Sequence, residues 1–384
     1  MKKKKMALLY FSDYNKWPMG GIISYLNGIL PELEKKYDLD IWGCQIDNTP
    51  INKLKINDKE YDIKSLGTVK TKKIIPNYFR YLFYTFINAK KIEKNKYDII
   101  YFHGAPILYA YMKRVKHSKS LIVYHQHGIS KLNKFIMKIQ YLAQSYADVN
   151  FVNSDLLTIE EHKKLMRDKY GEINFIQASG HVDNNKFKLC CNREELRRKK
   201  SINEKTILIY TGRLTEQKDP LIAIEAFNRY IMEYNNDALF YIIGGGELEG
   251  KIRDKIQEYN IGDKVHLVGT VQQDKVVEWL QCSDLFIFPS KGEGMSMSIA
   301  EALACGVPTV AFDVAGIRGI VENNLNGYLV NKRTDIDLAK AINNAIKNRD
   351  ILSKGALLSA QKYNSRKVSE HIIKHIELSL NEVN

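Results

Sequence analysis

Short apolar runs alternate along this chain with longer stretches whose apolar positions recur every three or four residues. Ala7–Phe11, Leu39–Trp42, Ile99–Phe102, Leu121–Tyr124, Val149–Val152 and Ile173–Ile176 read as buried strands. Ile22–Glu34, Tyr78–Lys94, Lys131–Tyr146 and Ser154–Asp168 read as amphipathic helices between them. The pattern then repeats, with strands at Ile207–Tyr210, Leu239–Ile243, Val265–Val268, Leu285–Phe288 and Thr309–Phe312. Strands that are apolar on both faces and alternate with helices predict a mostly parallel sheet covered on both sides. A polar, charged run over residues 186–203 separates the two series. The expectation is an α/β protein with two Rossmann-like domains in tandem, residues 1–187 and 188–364.

Composition narrows this picture. The 384 residues, 45% of them hydrophobic, suffice for two real cores. No apolar run approaches the ~18 residues of a membrane span. The apolar stretch after the basic start ends at Phe11, which reads as a first strand and not a signal-peptide core. Five cysteines without CxxC spacing read as reduced thiols of a cytoplasmic protein. The net charge of +14 is uneven: the first 189 residues carry 32 Lys and Arg against 18 Asp and Glu, and the remainder balances. Such a basic half suits a solvated surface or peripheral contact with anionic lipid at the inner face of the cell membrane. No signature of a nucleic-acid-binding module accompanies it, so no nucleic acid is expected. The aromatic and basic segment Tyr78–Ile92 reads either as a helix buried on one face or as one lying on a bilayer.

Candidate chemistry concentrates where strands end. In Phe286–Gly306 a strand stops at Pro289-Ser290, a loop carries Glu293, and a helix-forming segment carries Glu301 eight positions later. Carboxyl ends of parallel strands are where open sheets bind ligands. Arg213 and Lys218 lie on one loop after the strand Ile207–Tyr210, and a guanidinium fork with an ammonium suits a diphosphate. Gly244–Gly246 form a tight turn before a helix. In the first half, Gly20-Gly21 precedes a helix and allows close backbone approach to a ligand. The lack of GxGxxG there disfavours a nicotinamide or flavin enzyme. His103, His125 and His127 follow strands. Asp38-Leu-Asp40 and Asp335-Ile-Asp337 match the form DxD but sit at a buried strand and a late helix, so no metal site is expected.

Taken together, these pieces resemble glycosyltransferase family 4, the retaining GT-B enzymes. They run in the family's order: GGI at Gly20–Ile22, HG at His127–Gly128, NSD at Asn153–Asp155, GHVD at Gly180–Asp183, GRLTEQKD at Gly212–Asp219, IGGGE at Ile243–Glu247, GTV at Gly269–Val271, SKGEGMSMSIAEALACGVPTVA at Ser290–Ala311, and NGYLV ending at Val330. The resemblance implies two Rossmann-like domains facing across a cleft, with a final helix over residues 365–384 returning to the N-terminal domain. It implies an acceptor-binding first domain and a nucleotide-sugar-binding second domain. Glu301 would hold the ribose hydroxyls and Glu293 the donor sugar. Arg213 and Lys218 would neutralise the leaving diphosphate, with backbone N–H groups at Gly21 and at Met295, Ser296, Met297 and Ser298. The backbone at Val271 would read the base, and His127 would sit near the anomeric carbon.

The implied reaction moves a sugar from a UDP- or GDP-linked donor to a lipid-linked or polysaccharide acceptor in cell-envelope glycan synthesis, without a metal. Its oxocarbenium-like transition state needs preorganised positive charge at the leaving group. The chain departs from the family's pattern at Ser296 and Asp219, where glycine is common, and around Gly316. A nucleotide-sugar epimerase or hydrolase on the same fold, or a non-enzymatic basic membrane-binding module, are the alternatives.

Overall fold

A computed structural model describes residues 2–10, 21–46, 53–56, 59–69, 77–127, 134–153, 159–160, 163–164, 167, 173–178, 180–202 and 205–383. Phe11, Gly20, Gly128, Ser154, Asp155 and most of the expected helix Ser154–Asp168 lie outside the described residues. The chain divides into two compact units, Met1–Ser179 with Ser365–Asn384, and Gly180–Asn364.

The first unit is built on β1 (Lys5–Leu9), β2 (Asp38–Ile46), β3 (Lys53–Ile56), β4 (Lys59–Val69), β5 (Ile99–Phe102), β6 (Leu121–Gln126), β7 (Val149–Val152) and β8 (Ile176–Gln177). Their order is β3-β4-β2-β1-β5-β6-β7-β8, parallel throughout except the β3–β4 hairpin. The two-residue side-chain period of a strand sends β1 to both faces. Met6 and Leu8 join a core with Leu26, Ile29 and Leu33 of the helix Gly21–Lys36 and Val368, Ile372 and Ile376 of the helix Ser365–Val383. Ala7 and Leu9 join the opposite core with Ala89 and Ile92 of the helix Asn77–Glu93 and Ile107, Leu108 and Tyr111 of the helix Ala105–Val115. The C-terminal helix thus returns to the first unit. Its Glu377 accepts a hydrogen bond from Tyr37 at 2.8 Å.

Two local expectations change. The strand expected at Ile173–Ile176 is only Ile176–Gln177, because it pairs with the last two residues of β7 alone. The β3–β4 hairpin is not among the expected strands, because its apolar positions alternate with polar ones and form no apolar run.

The second unit holds β9 (Thr206–Thr211), β10 (Ala238–Ile243), β11 (Val265–Gly269), β12 (Leu285–Phe288), β13 (Thr309–Phe312) and β14 (Gly327–Val330). They form one parallel sheet in the order β11-β10-β9-β12-β13-β14. Chain order runs outward in both directions from the β9–β12 pair, so the topological switch point lies there. One face packs on the helices Pro220–Glu233 and Asp335–Lys347, the other on the helix Met297–Ala304.

Asp284 anchors the start of β12. Its carboxylate accepts from Arg193, Arg197 and Arg349, each at 2.6 Å, and from the Ile207 amide at 2.8 Å. Burial alone would raise this carboxyl, but Arg193, Arg197 and the amide outweigh it and the net shift is downward.

Candidate functional site

At the switch point, two loops leave the sheet side by side. One follows β9 and carries Arg213, Gln217 and Lys218; the other follows β12 and carries Ser290 and Glu293. The Lys291 amide donates to the Gln217 carbonyl at 2.8 Å, and the Gln217 side chain donates to the Gly292 carbonyl at 2.9 Å. This pairing brings Lys218 Nζ to 2.5 Å from Glu293 Oε1, and Ser290 Oγ donates to the same oxygen at 2.6 Å. Both members of the ion pair are largely buried, with side-chain exposures of 16% and 10%. Glu293 is thereby oriented by an ammonium and a hydroxyl, and the ammonium also lies 5.0 Å from the Phe288 ring centre. Arg213 is exposed on the same loop, and its carbonyl accepts from the Tyr210 hydroxyl at 2.9 Å.

Arg333, in the loop after β14, ties the two loops together. It donates to Asp219 Oδ2 at 2.8 Å, to the Ser290 carbonyl at 3.3 Å and to the Pro289 carbonyl, and its guanidinium lies 4.3 Å from the Phe312 ring centre. Asp219 adopts a left-handed conformation, φ 49°, just before Pro220 starts its helix. The side chain at this uncommon backbone angle is held by Arg333, so an aspartate replaces the glycine common in the pattern.

Glycines let the neighbouring backbones close on this site. A Cβ at Gly244 would lie 1.9 Å from the Gly212 carbonyl oxygen, and one at Gly316, at φ +78°, 2.2 Å from the Glu293 carbonyl oxygen. Gly316 therefore supports the Glu293 loop through packing. Ser296, the other position where glycine is common, has a local structural role. Ser296 is buried and its hydroxyl accepts from the Ile299 amide at 3.4 Å, capping the helix Met297–Ala304. Met295 packs on Gly180, whose amide lies 2.8 Å from the Met295 sulfur.

Glu301 projects from that helix and accepts from Gln273 Nε2 at 3.5 Å. Part of the residue reaches solvent, yet the surrounding protein desolvates the carboxyl and pushes it up to about 7, with Gln273 opposing the shift. Val271 lies just beyond β11, where the register with β10 shifts at Ile242/Ile243. Arg213, Lys218, Val271, Glu293, Met295–Ser298 and Glu301 thus all follow strands of one sheet. Gly21 and His127 belong to the first unit, at the start of the helix Gly21–Lys36 and at the end of β6.

In that unit His127 is one of three histidines in a polar chain. Tyr101 lies 2.7 Å from His125 Nδ1, His125 Nε2 lies 2.8 Å from Asn153 Oδ1, Asn153 Nδ2 lies 3.2 Å from His127 Nδ1, and His127 Nε2 lies 2.8 Å from His103 Nδ1. With the Asn153 amide oriented this way, every link donates in one direction, and His127 is the Nε2–H tautomer. The His125 and His127 rings stack at 4.6 Å. Burial, then the neighbouring His125, holds His103 well below the usual histidine range, so His103 is neutral at pH 7. The two DxD sequences serve local structure: Asp40 accepts from Tyr97 and Lys64 at 2.6 Å, and Asp335 accepts from Arg229 at 2.8 Å.

In sequence and in fold this chain is similar to known proteins. Residues 192–368 match the family described as Glycosyl transferases group 1. This segment, a little under half of the chain, is similar to that family. It is 29% identical over 259 residues, 65% of this chain and 66% of the other, to the UDP-Gal:alpha-D-GlcNAc-diphosphoundecaprenol alpha-1,3-galactosyltransferase of Escherichia coli. The chain spans less than two thirds of the curated relatives it first matches, from 66% down to 29% of their length. Among solved structures, sucrose-phosphate synthase of Thermosynechococcus elongatus superposes with a TM-score of 0.79 at 16% identity, covering 98% of this chain and 99% of that one. HepE of Anabaena, solved with UDP and glucose, superposes with a TM-score of 0.76 at 16% identity, covering 97% and 99%. The chain therefore has the GT-B fold, with two Rossmann-like α/β units as the apolar pattern predicts.

Ser290, Gln217 and Arg333 are the site residues that sequence reading passes over. Ser290 stood inside the quoted motif without a role. Arg333 lies in a polar loop, NKRTD, whose only signal was its place at the end of a strand.

Proposed function

We propose that the protein is a retaining glycosyltransferase that moves a sugar from a nucleotide-sugar, UDP- or GDP-linked, to a lipid-linked or polysaccharide acceptor in cell-envelope glycan synthesis. The observation that carries this reading is the buried Lys218–Glu293–Ser290 cluster at the β9–β12 switch point, beside the exposed Arg213. The names of the Escherichia coli relative and of the HepE complex support a UDP-linked donor, and the former supports a lipid diphosphate acceptor.

In this reading Glu293 accepts hydrogen bonds from donor-sugar hydroxyls, held in place by Lys218 and Ser290. Arg213 and Lys218 face the diphosphate as its bond to the anomeric carbon lengthens, and the helix starting at Met297 presents its amide dipole to the same charge. Glu301 accepts from the ribose hydroxyls, and the backbone at Val271 meets the base. Gly21 offers its amide, and His127, held between Asn153 and His103, acts near the anomeric carbon. No metal is required, because these groups supply the positive potential. The departing phosphate takes the acceptor's proton on the face it leaves. Residues 1–187, with the returning helix 365–384, would bind acceptor, and 188–364 donor. The location would be cytoplasmic, peripheral to the inner face of the membrane.

Purified protein should turn over a UDP- or GDP-sugar. Removing one group that stabilises transition-state charge costs ~100-fold or more in kcat. Glu293→Ala and Arg213→Ala should each fall by at least that much; undiminished turnover in both overturns the assignment. Release of free sugar at the same rate with and without acceptor would identify a hydrolase instead.

A further inference from the structure

We propose that the outward face of the helix Asn77–Glu93 is a docking surface for an anionic lipid bilayer. The inward face of this helix is an ordinary core face, with Thr85, Ala89 and Ile92 buried. Its outward face inverts the usual pattern, in which a surface helix turns polar residues to water. Phe79, Phe83, Phe86 and Ile87 stand 47%, 61%, 41% and 50% exposed. Their spacing of four, three and one places them on a single stripe. They include every exposed phenylalanine among the described residues, and no other helix or strand there carries more than two exposed large apolar residues.

Charge identifies the occupant. The stripe continues into exposed Lys90 and Lys94, and Arg114 of the adjacent helix stands 5.5 Å from the Phe86 ring centre. Glu93, the acid of the helix, is turned to Ser118, which donates to it at 3.1 Å, and to the Tyr111 hydroxyl. The face therefore offers an aromatic wedge bordered by cations, the chemistry of an interfacial helix on anionic headgroups. A second copy meeting the same face would set lysine against lysine, in a half of the chain that already carries the whole net charge of +14. The inference is independent of the donor site, whose residues lie in the other unit.

The test is flotation of the full chain with vesicles of phosphatidylglycerol and phosphatidylcholine in equal parts, against phosphatidylcholine alone. Binding to the anionic vesicles only, weakened by salt, is expected. Phe83→Ser with Phe86→Ser and Ile87→Ser should lower it by at least about tenfold, as should Lys90→Glu with Lys94→Glu. Ile351→Ser with Leu358→Ser, exposed in the second unit, should leave it unchanged. Circular dichroism checks folding, and should the serine variant not fold, the charge variant decides alone. A UDP-induced thermal shift retained by the variants separates this surface from the donor site. Equal flotation of wild type and both variants overturns the proposal. So does equal binding to neutral vesicles at high salt, or a dimer that the serine variant loses while vesicles are ignored.

Discussion

Glu301 is a carboxylate whose proposed task opposes its environment. Accepting from two ribose hydroxyls needs the charged form, whereas the protein around it pushes the carboxyl up to about 7, above the ~4.3 of an unperturbed glutamate. Linkage fixes the sign. Below the unfolded value both states are protonated and nothing is lost; as pH rises toward 7 the unfolded chain ionises first, and above it the folded protein bears the full cost of the buried charge. Glu301→Gln should therefore raise the melting temperature of the ligand-free protein at pH 8, and by less at pH 5.5. The same variant should weaken UDP binding by ~10-fold or more, the worth of a hydrogen bond to a charged group. Wild-type affinity should also fall between pH 8 and pH 6, while the variant stays flat. Calorimetric titration at the two pH values reads both effects; a wild-type affinity that rises on acidification would contradict the ribose role.

Among the elements, β12 is the one that most of the second unit is hung on. Its entry is pinned by Asp284, which joins the helix Arg193–Lys199, the helix Arg349–Ala360 and the start of β9 through three arginines and one amide. Its exit becomes the Ser290–Glu293 loop. Removing one partner of a buried ionic cluster strands the others and costs ~3–5 kcal/mol. Asp284→Asn should lose about that much in urea unfolding, without altering any group proposed to touch the donor. Because the folded carboxyl lies below its unfolded value, the contribution of Asp284 is present above about pH 4 and is lost as pH falls further. The wild-type advantage over Asp284→Asn should shrink in acid; a constant difference from pH 7 to pH 3 would argue that packing alone is responsible.

For the whole molecule, donor groups and net charge are divided between two units. Arg213, Lys218, Glu293 and Glu301 belong to a unit whose sequence is nearly balanced in charge, and the basic excess and the aromatic helix Asn77–Glu93 belong to the other. A nucleotide held by the second unit should stabilise it by mass action, ~2.7 kcal/mol at a hundredfold excess over Kd. If the units melt separately in scanning calorimetry, UDP should move the transition of Gly180–Asn364. An unmoved trace at saturating UDP, GDP and ADP would sink the nucleotide-binding reading.

The sequence by itself determined the class of fold and the strand ends that carry chemistry. Strands buried on both faces must be apolar throughout, and helices buried on one face must be periodic, so β9–β13 and Glu293, Arg213 and Lys218 were legible without coordinates. Tertiary structure decided what a strand list cannot contain. The order that puts β12 beside β9 brings Lys218 to Glu293 across 75 positions of chain, and Arg333 onto both loops. Arg333 is locally an ordinary loop residue, and neither Lys218 nor Glu293 carries a local sign of its partner. The same holds for the outward stripe of the helix Asn77–Glu93: its periodicity predicts a helix, but which apolar positions find a core is settled only when the sheet and its neighbours leave Phe83 outside.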